Sequence, residues 1–432
     1  MRVITPDVHR ISPNLVSEAA VKVVSRLKSK GYEAYIVGGA VRDLLLGGQP
    51  KDFDVGTNAT PEQIKAVFKN ARIIGRRFQI VHVRFGPEII EVTTYRGHHA
   101  SGSAPASGKD SGNTKAHSRQ SDKGLLLRDN VYGTLEEDAA RRDLTINALY
   151  YDPEDESVLD QLNGMADVEA RLVRVIGEPH TRYREDPVRM LRVLRFAAKL
   201  QFDVESETDH AIAECAPLLA EIPSARLFDE FLKLFMAGYA TPTFKLLYRY
   251  GLLHHLFPEP TRVLAHEARH YELVVAAMES TDRRVREDRP VTPAFLLAAI
   301  MWPVVQERAA ELIHAGETAI PAFHSSGQQV VAEVCVHTAI PKRFSLPMRE
   351  MWDFQPKLER RQPKQIKSLL ASRRFRAAYD LLLLREASGE KLNDCGQFWT
   401  EQQEIYPDLV GSAPRRDPPP NRRRGRRRRT PQ

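Results

Sequence analysis

Two aspartates separated by one residue, Asp52 and Asp54 in the segment KDFDVGT, carry the sharpest chemistry in the chain. On a β-strand, side chains at i and i+2 project to the same side, so both carboxylates would face one space. Such a pair can share divalent cations, and Mg2+ favours oxygen ligands from one or two carboxylates together with substrate phosphates. A two-metal site clamps the attacking and leaving oxygens of an in-line phosphoryl displacement. Acid pairs at this spacing recur at Glu136 and Asp138, Glu154 and Glu156, and Glu205 and Glu207, where they read as solvated faces. Asp52 and Asp54 differ because Phe53 and Val55 alternate with them, so the strand can bury one face and present the acids on the other. Just upstream, Gly38 and Gly39 separate the apolar run AYIV from VRDLLLG. A strand-to-helix turn of that kind lets backbone N–H groups approach a phosphate. Arg42 in this turn either neutralises a phosphate or orients a carboxylate through an ion pair.

The elements that must hold these residues can be read from apolar runs. Ala34–Val37, Phe53–Val55, Ile73 and Ile74, Phe78–Phe85 and Ile89–Tyr95 alternate with helical patterns, which is strand-rich α/β character. Residues 97–128 are rich in Ser, Gly, Ala, Lys and His, and are expected to form a flexible insertion. After Tyr151 the strand signals are Val158 and Leu159, then Leu172–Ile176, and from Pro179 the pattern is helical almost to the end. In RLFDEFLKLF, Leu227, Phe231, Leu234 and Phe235 form one helical stripe. The expected fold class is α+β, an α/β head followed by an all-helical body. The expected boundaries are a head over 1–160, a helical neck over 161–260, a body over 261–410 and a disordered tail over 411–432.

Composition narrows the classes. The 432 residues include 63 Lys and Arg against 56 Asp and Glu, a formal charge of +7. The last 18 residues hold nine arginines and one acid, so the other 414 sum to −1 and the basic character reads as a tail. With 42% apolar residues, collagen-like and wholly disordered classes are excluded. Three widely spaced cysteines, Cys215, Cys335 and Cys395, encode neither a disulfide framework nor a cysteine zinc site. No stretch reaches the roughly 18 uninterrupted apolar residues of a membrane span, and a soluble cytoplasmic protein is expected.

Further motifs follow in order. EEDAARRDLTIN runs from Glu136 to Asn147, and YREDPVRMLRVLRFAAKL from Tyr183 to Leu200. In the second, a helical wheel puts Glu185, Arg189 and Arg192 on one face and Met190, Leu194 and Ala197 opposite. Taken on its own, Glu185 with Arg189 is a surface i,i+4 pair, and Asp186 before Pro187 is an N-cap. Together with GGAVRDLLLG and DFDV, these motifs resemble the tRNA nucleotidyltransferase and bacterial poly(A) polymerase family. The resemblance runs from about residue 15 to 260 and more faintly to about 400. IIGRRFQIVHV, Ile73–Val83, is similar to a signature of the poly(A) polymerase branch that CCA-adding enzymes are not expected to carry.

The resemblance implies a polymerase β-like nucleotidyltransferase head and a template-independent poly(A) polymerase. Asp52 and Asp54 would bind two Mg2+ ions, the RNA 3′ hydroxyl would attack the α-phosphate of ATP, and pyrophosphate would leave. Asp143, in R-R-D, is implied as the third catalytic acid. Glu91 in EIIEVTTY, which strand periodicity could aim at the cleft, is the alternative metal neighbour. Nucleotide binding is implied for Gly38, Gly39, Arg42, Arg142, Glu185, Asp186, Arg189 and Arg192. Asp186 and Arg189 would read the base edge by hydrogen bonds. Arg76 and Arg77 are further contributors by their place in the signature. The other readings are a CCA-adding enzyme, separable by CTP use, and an RNA-binding protein with an inactive head.

Arg422, Arg423, Arg424, Arg426, Arg427, Arg428 and Arg429 form a block suited to RNA phosphates through counterion release. Expected partners are RNA 3′ ends, ATP and RNA-degradation machinery. His266–His270, HEARH, satisfies H-E-x-x-H but lacks the glycine and third histidine of the longer zinc motif, and reads as a solvated helix face.

Overall fold

A computed structural model describes residues 1–75, 79–97, 119–120, 126–128 and 132–412. Most of the expected insertion, Arg76, Arg77, His98, His99 and the tail arginines from Arg415 onward lie outside the described residues. The described chain divides into two compact units, Met1–Leu256 and Phe257 onward.

The first unit is built on a sheet of eight strands. These are β1 (Arg2–Ile4), β2 (Ala34–Val37), β3 (Asp54–Thr57), β4 (Ala71–Ile74), β5 (Ile80–Phe85), β6 (Glu88–Thr94), β9 (Leu149–Asp152) and β10 (Ser157–Asp160). Two short ribbons, β7 (Arg119–Gln120) with β8 (Leu126–Arg128) and β11 (Leu172–Val173) with β12 (Asp203–Val204), stand apart from it. The order in the sheet is β1-β10-β9-β2-β3-β6-β5-β4. Among the described pairs of this sheet, β3 and β6 alone run parallel, with Asp54 opposite Glu91. Alternation decides the faces: Val81 and Val83 of β5, and Ile90 and Val92 of β6, are buried while their neighbours are not. The helix Glu18–Lys28 covers β2 with Ala20, Val23, Val24 and Leu27, and Ser17 caps it by accepting from the Ala19 and Ala20 amides. β1 and β9 carry no signal in the sequence reading. β9, the run LYYD, is fully buried in mid-sheet.

The expected helical run after Arg182 is two helices. Pro179–Glu185 stops at Asp186, whose backbone is extended, and Val188–Leu200 begins after Pro187. The N-cap position falls on Pro187 rather than on Asp186 as expected, and the Asp186 carboxylate, one residue earlier, accepts from the Val188 amide at 3.3 Å. Helix Ser224–Phe235 buries Leu227, Phe231, Leu234 and Phe235 as the stripe predicts.

In the second unit the long helix Pro293–His314 packs against Ala319–His337 and Lys342–Arg360. Trp302 stacks on Phe323 at 5.3 Å, and Trp352 and Trp399 are fully buried. The HEARH stretch is not one helix. Pro258–His266 ends, Glu267 is extended, and Ala268–Arg286 starts anew, so His266 and His270 do not share a helical face. His270 is 8% exposed, which also corrects the solvated-face reading. No helix among the described residues is long and apolar enough to cross a membrane.

β10 ends at Asp160, whose carboxylate takes the amides of Leu162, Gly164 and Met165 at 2.9–3.1 Å. Gly164 lies so close to Thr145 that a Cβ would stand 2.3 Å from its carbonyl oxygen. Gly164→Ala should therefore lower stability by about 1–3 kcal/mol through overpacking. The reading is a lower urea midpoint, and an unchanged midpoint would contradict this close approach.

Candidate active site

The diglycine turn forms where β2 ends. Gly38 has φ +81° and ψ −132°, a conformation open to glycine, and the helix Gly39–Leu45 follows at once. β3 starts at Asp54, so Asp52 lies just before the strand, yet the alternation holds: Phe53 and Val55 are buried and Asp52 and Asp54 exposed. Both face a cleft of about 690 Å³ within the first unit, lined also by Gly38, Gly39, Arg42, Arg142, Asp143, Asn147, Arg192, Arg195 and Lys199. Glu185, Asp186 and Arg189 are not among the lining residues.

The acids of this cleft are crowded. Asp54 is open to solvent at its tip, but the protein around it removes enough water, with Glu91 and Asp52 adding like charge, to raise its carboxyl to about 6. Arg142 only partly offsets this. Glu91 is itself held by His82, whose Nε2 lies 3.1 Å from a Glu91 oxygen. His82 belongs to the IIGRRFQIVHV segment and was missed as a site neighbour; its alternation with Val81 and Val83 was the available signal. Uncompensated carboxylates of this kind suit a divalent cation. Asp52, Asp54 and Glu91 are the residues that fit one, although among the described residues no three His, Cys, Asp or Glu side chains already converge as a ligand set.

The cations, in contrast, are held in place. Arg42 is 2% exposed, donates to Asp43 at 2.6 and 2.9 Å and to Asn147 Oδ1 at 2.5 Å, and lies over the Phe196 ring, so the ion-pair alternative is what the structure shows. Arg192 pairs with Asp143 at 2.5 Å. Burial alone would raise the Asp143 carboxyl; Arg192 and Arg189 outweigh it and hold it below its ordinary value. Asp143 also accepts from the Leu144 amide at 2.9 Å. It thus sits in the cleft wall as the partner of Arg192.

Asp138 is the main residue that sequence reasoning misjudged. It is 1% exposed, not solvated. Its oxygens accept from Arg141 at 2.7 and 3.0 Å, from Arg142 at 2.9 and 3.1 Å, from Tyr150 Oη at 2.8 Å and from the Arg96 amide at 3.2 Å. The spacing to Arg141 and Arg142, i+3 and i+4 on the helix Leu135–Arg141, was the signal present. Burial pushes its carboxyl up, but Arg142, Arg141 and Tyr150 bring it down to about 2.

Arg182 ties the next motif to this wall. Its Nη2 donates to the carbonyls of Arg141 and Arg142, both at 2.7 Å, and its Nη1 to Glu185 at 2.7 Å. Arg226 takes the other Asp186 oxygen at 2.7 Å. Arg189 is 9% exposed, and its Nη1, 3.8 Å from Glu185, makes no hydrogen bond among the described residues.

The sequence of this cleft matches the family description "Poly A polymerase head domain" over residues 34–174. The chain is 47% identical to the poly(A) polymerase I of Escherichia coli O6:H1 over 416 residues, 95% of this chain and 87% of that one. The chain belongs to the poly(A) polymerase family. Two further poly(A) polymerase descriptions match beyond the head, "Probable RNA and SrmB- binding site of polymerase A" over 201–264 and "Polymerase A arginine-rich C-terminus" over 315–432. A CCA-adding enzyme of Lactobacillus johnsonii is 37% identical, but over 55% of this chain. The Bacillus stearothermophilus CCA-adding enzyme in complex with CTP has a TM-score of 0.54 at 25% identity, covering 90% of this chain and 83% of its own. The poly(A) polymerase likeness therefore extends through the body, and the relation to CCA-adding enzymes covers the shared fold and about half of the sequence.

In this poly(A) polymerase the Asp138 carboxylate should contribute stability above its unfolded value, near 4, that is lost as pH falls towards 2. Protonation across that range removes stability on the order of 2 kcal/mol. Asp138→Asn should lose about 3 kcal/mol or more at pH 7, since it strips a buried pair of its anion. Urea titrations at pH 7 and between pH 4 and 2 test this; a variant with wild-type stability and the wild-type acid slope would remove Asp138 from its anchoring role.

Proposed function

We propose that the chain is a template-independent poly(A) polymerase whose cleft transfers AMP from ATP to RNA 3′ ends. The observation that carries the site assignment is the opposition of the crowded acids Asp52 and Asp54, with Glu91 beside Asp54, to the pre-held cations Arg142 and Arg192 that line the same cleft. An oxygen–phosphorus bond forms from the RNA 3′ hydroxyl to the α-phosphorus of ATP, the α–β bridging bond breaks, the hydroxyl proton is lost to solvent, and pyrophosphate leaves. Two Mg2+ ions, when bound, supply charge neutralisation of the attacking and leaving oxygens. Asp52 and Asp54 would hold them, with Glu91 as the neighbouring third carboxylate. Arg142, fixed by Asp138, and Arg192, fixed by Asp143, are placed to neutralise the phosphates. Asp143 acts in this reading as a positioning residue for Arg192.

In this reading Asp186 and Arg189 read the adenine edge, with Glu185 beside them. Glu185 and Asp186 are tied by Arg182 and Arg226, while Arg189 keeps a buried, unpaired donor nitrogen. A site with fixed polar groups leaves them unsatisfied by the wrong base, which is how large discrimination arises. The head over 1–160, neck over 161–260 and body over 261–410 then divide catalysis, base reading and RNA holding. The same reading puts the chain in the cytoplasm, with RNA-degradation machinery as a partner.

Primer extension on an unstructured RNA with Mg2+ and each NTP separately tests the assignment. Long homopolymers with ATP alone are expected. Asp52→Ala should reduce synthesis by about 1,000-fold or more, the several kcal/mol a metal supplies, while RNA binding stays nearly intact. A short addition requiring CTP would make the chain a CCA adder. Comparable activity in the variant would sink the metal assignment.

Deleting residues from Arg415 onward should weaken RNA affinity and flatten its salt dependence. An unchanged slope would refute the role of the arginine block.

A further inference from the structure

The near-neutral balance of the chain ahead of its tail conceals a strongly basic folded segment. From Lys342 to Arg376 there are eleven lysines and arginines against three acids, a surplus of eight in 35 residues, as large as that of the tail. This segment forms the helix Lys342–Arg360, a 3-10 turn at Pro363–Gln365, the helix Ile366–Ala371 and the start of Phe375–Ala387 in the second unit.

Its charge is concentrated where the first of these helices ends. Lys357, Arg360, Arg361, Lys364 and Lys367 fall within eleven residues, against Glu359. Glu359 is drawn to the buried Arg385 at 2.8 Å. Arg361, at φ +47° in the left-handed region, is used by the fold: it donates to the carbonyls of Leu392 and Asn393 and so fixes the corner. The other four have no carboxylate within 4.0 Å among the described residues, including Glu401, Glu404 and Asp408 on the adjoining elements. Arg360, Lys364 and Lys367 are exposed. Lys357 lies 5.5 Å from the Phe354 ring and Lys367 5.0 Å from the Tyr406 ring, so half-buried aromatic faces support their ammonium groups.

Two features favour a polyanion over a point ligand. Unpaired cations along a corner, without an enclosing pocket, match a repeating phosphate backbone, where each neutralised phosphate releases counterions. The last described residues also lie here: the Gly411 amide donates to the Leu370 carbonyl at 3.0 Å, so the sequence that precedes the arginine block is tied beside the helix that carries Lys367.

We propose that this corner is an ordered anchor for the phosphate backbone of single-stranded RNA, with Lys357, Arg360, Lys364 and Lys367 as its contacts. The proposal rests on RNA being the substrate, and it assigns RNA holding to a folded surface in addition to the tail.

The test uses the full chain carrying Arg360→Gln, Lys364→Gln and Lys367→Gln, titrated with a fluorescent unstructured RNA over a series of KCl concentrations. The salt slope should fall by about 2, at roughly 0.7 per phosphate contact on single strands, with affinity about 10- to 100-fold weaker at low salt. The charge-preserving set Arg360→Lys, Lys364→Arg and Lys367→Arg should keep the wild-type slope. An unchanged slope and affinity in the neutral set overturns the proposal and leaves an acidic protein surface as the partner of the corner. Equal loss in the charge-preserving set also overturns it, because the contact would then depend on shape. ATP addition is measured on the same RNA: salt-dependent binding without addition by the unaltered chain would refute the polymerase reading and leave the anchor standing.

Discussion

A carboxylate that is 1% exposed survives as an anion only if its charge is matched and its lone pairs are filled. Asp138 meets both demands with Arg141, Arg142, Tyr150 and the Arg96 amide. Arg141 and Arg142 come from the end of its own helix, and Tyr150 and Arg96 from two other parts of the first unit. Tyr150 belongs to β9, whose pairing with β2 sets Tyr150 opposite Val37, one residue before the diglycine. Arg96 follows β6, the strand of Glu91. The Arg141 and Arg142 carbonyls receive Arg182, which in turn holds Glu185. One buried charge thus fixes the position of a cleft guanidinium, the entry to the glycine turn and the start of the E-D-x-x-R motif.

The cleft is electrostatically uneven as a result. Two of its guanidiniums are committed before any ligand arrives, because Asp138 holds Arg142 and Asp143 holds Arg192. Pre-placed donors need no reorganisation when charge develops on a phosphate. Its acids are the opposite case, since Asp54 is raised to about 6 by lost solvation and by Glu91 and Asp52. A site with committed cations and uncompensated carboxylates is relieved by a divalent cation that arrives with an anionic substrate. That is the charge pattern of nucleoside triphosphate chemistry, and it follows from which side chains are paired.

Much of the frame was legible in the sequence because it is local. The runs AYIV and EIIEVTT and the alternation around Phe53 and Val55 are short-range patterns, and the strands stand where those patterns put them. The stripe of Leu227, Phe231, Leu234 and Phe235 is likewise read from one helical turn to the next. What failed depended on distant partners. Asp138 looks like any acid on a helix until β9 and Arg96 close over it. The LYYD run of β9 lacks alternation because, in mid-sheet, it is buried on both faces. A helical wheel drawn through Asp186-Pro187 ignored the restriction that proline places on the preceding residue. The HEARH motif failed for a similar reason: its spacing has meaning only on a continuous helix, and Glu267 breaks it.

Charge was the least legible property, because a sum discards position. Ahead of the tail the chain sums to −1, which reads as neutral, yet Lys342–Arg376 alone carries a surplus of eight. The distinction matters physically. Cations mounted on a helix end have already lost most of their conformational entropy on folding, so contacts made by the folded corner are in place before a ligand arrives. With the Gly411 amide bonded to the Leu370 carbonyl, the arginine block follows in sequence a residue that lies beside the helix carrying Lys367.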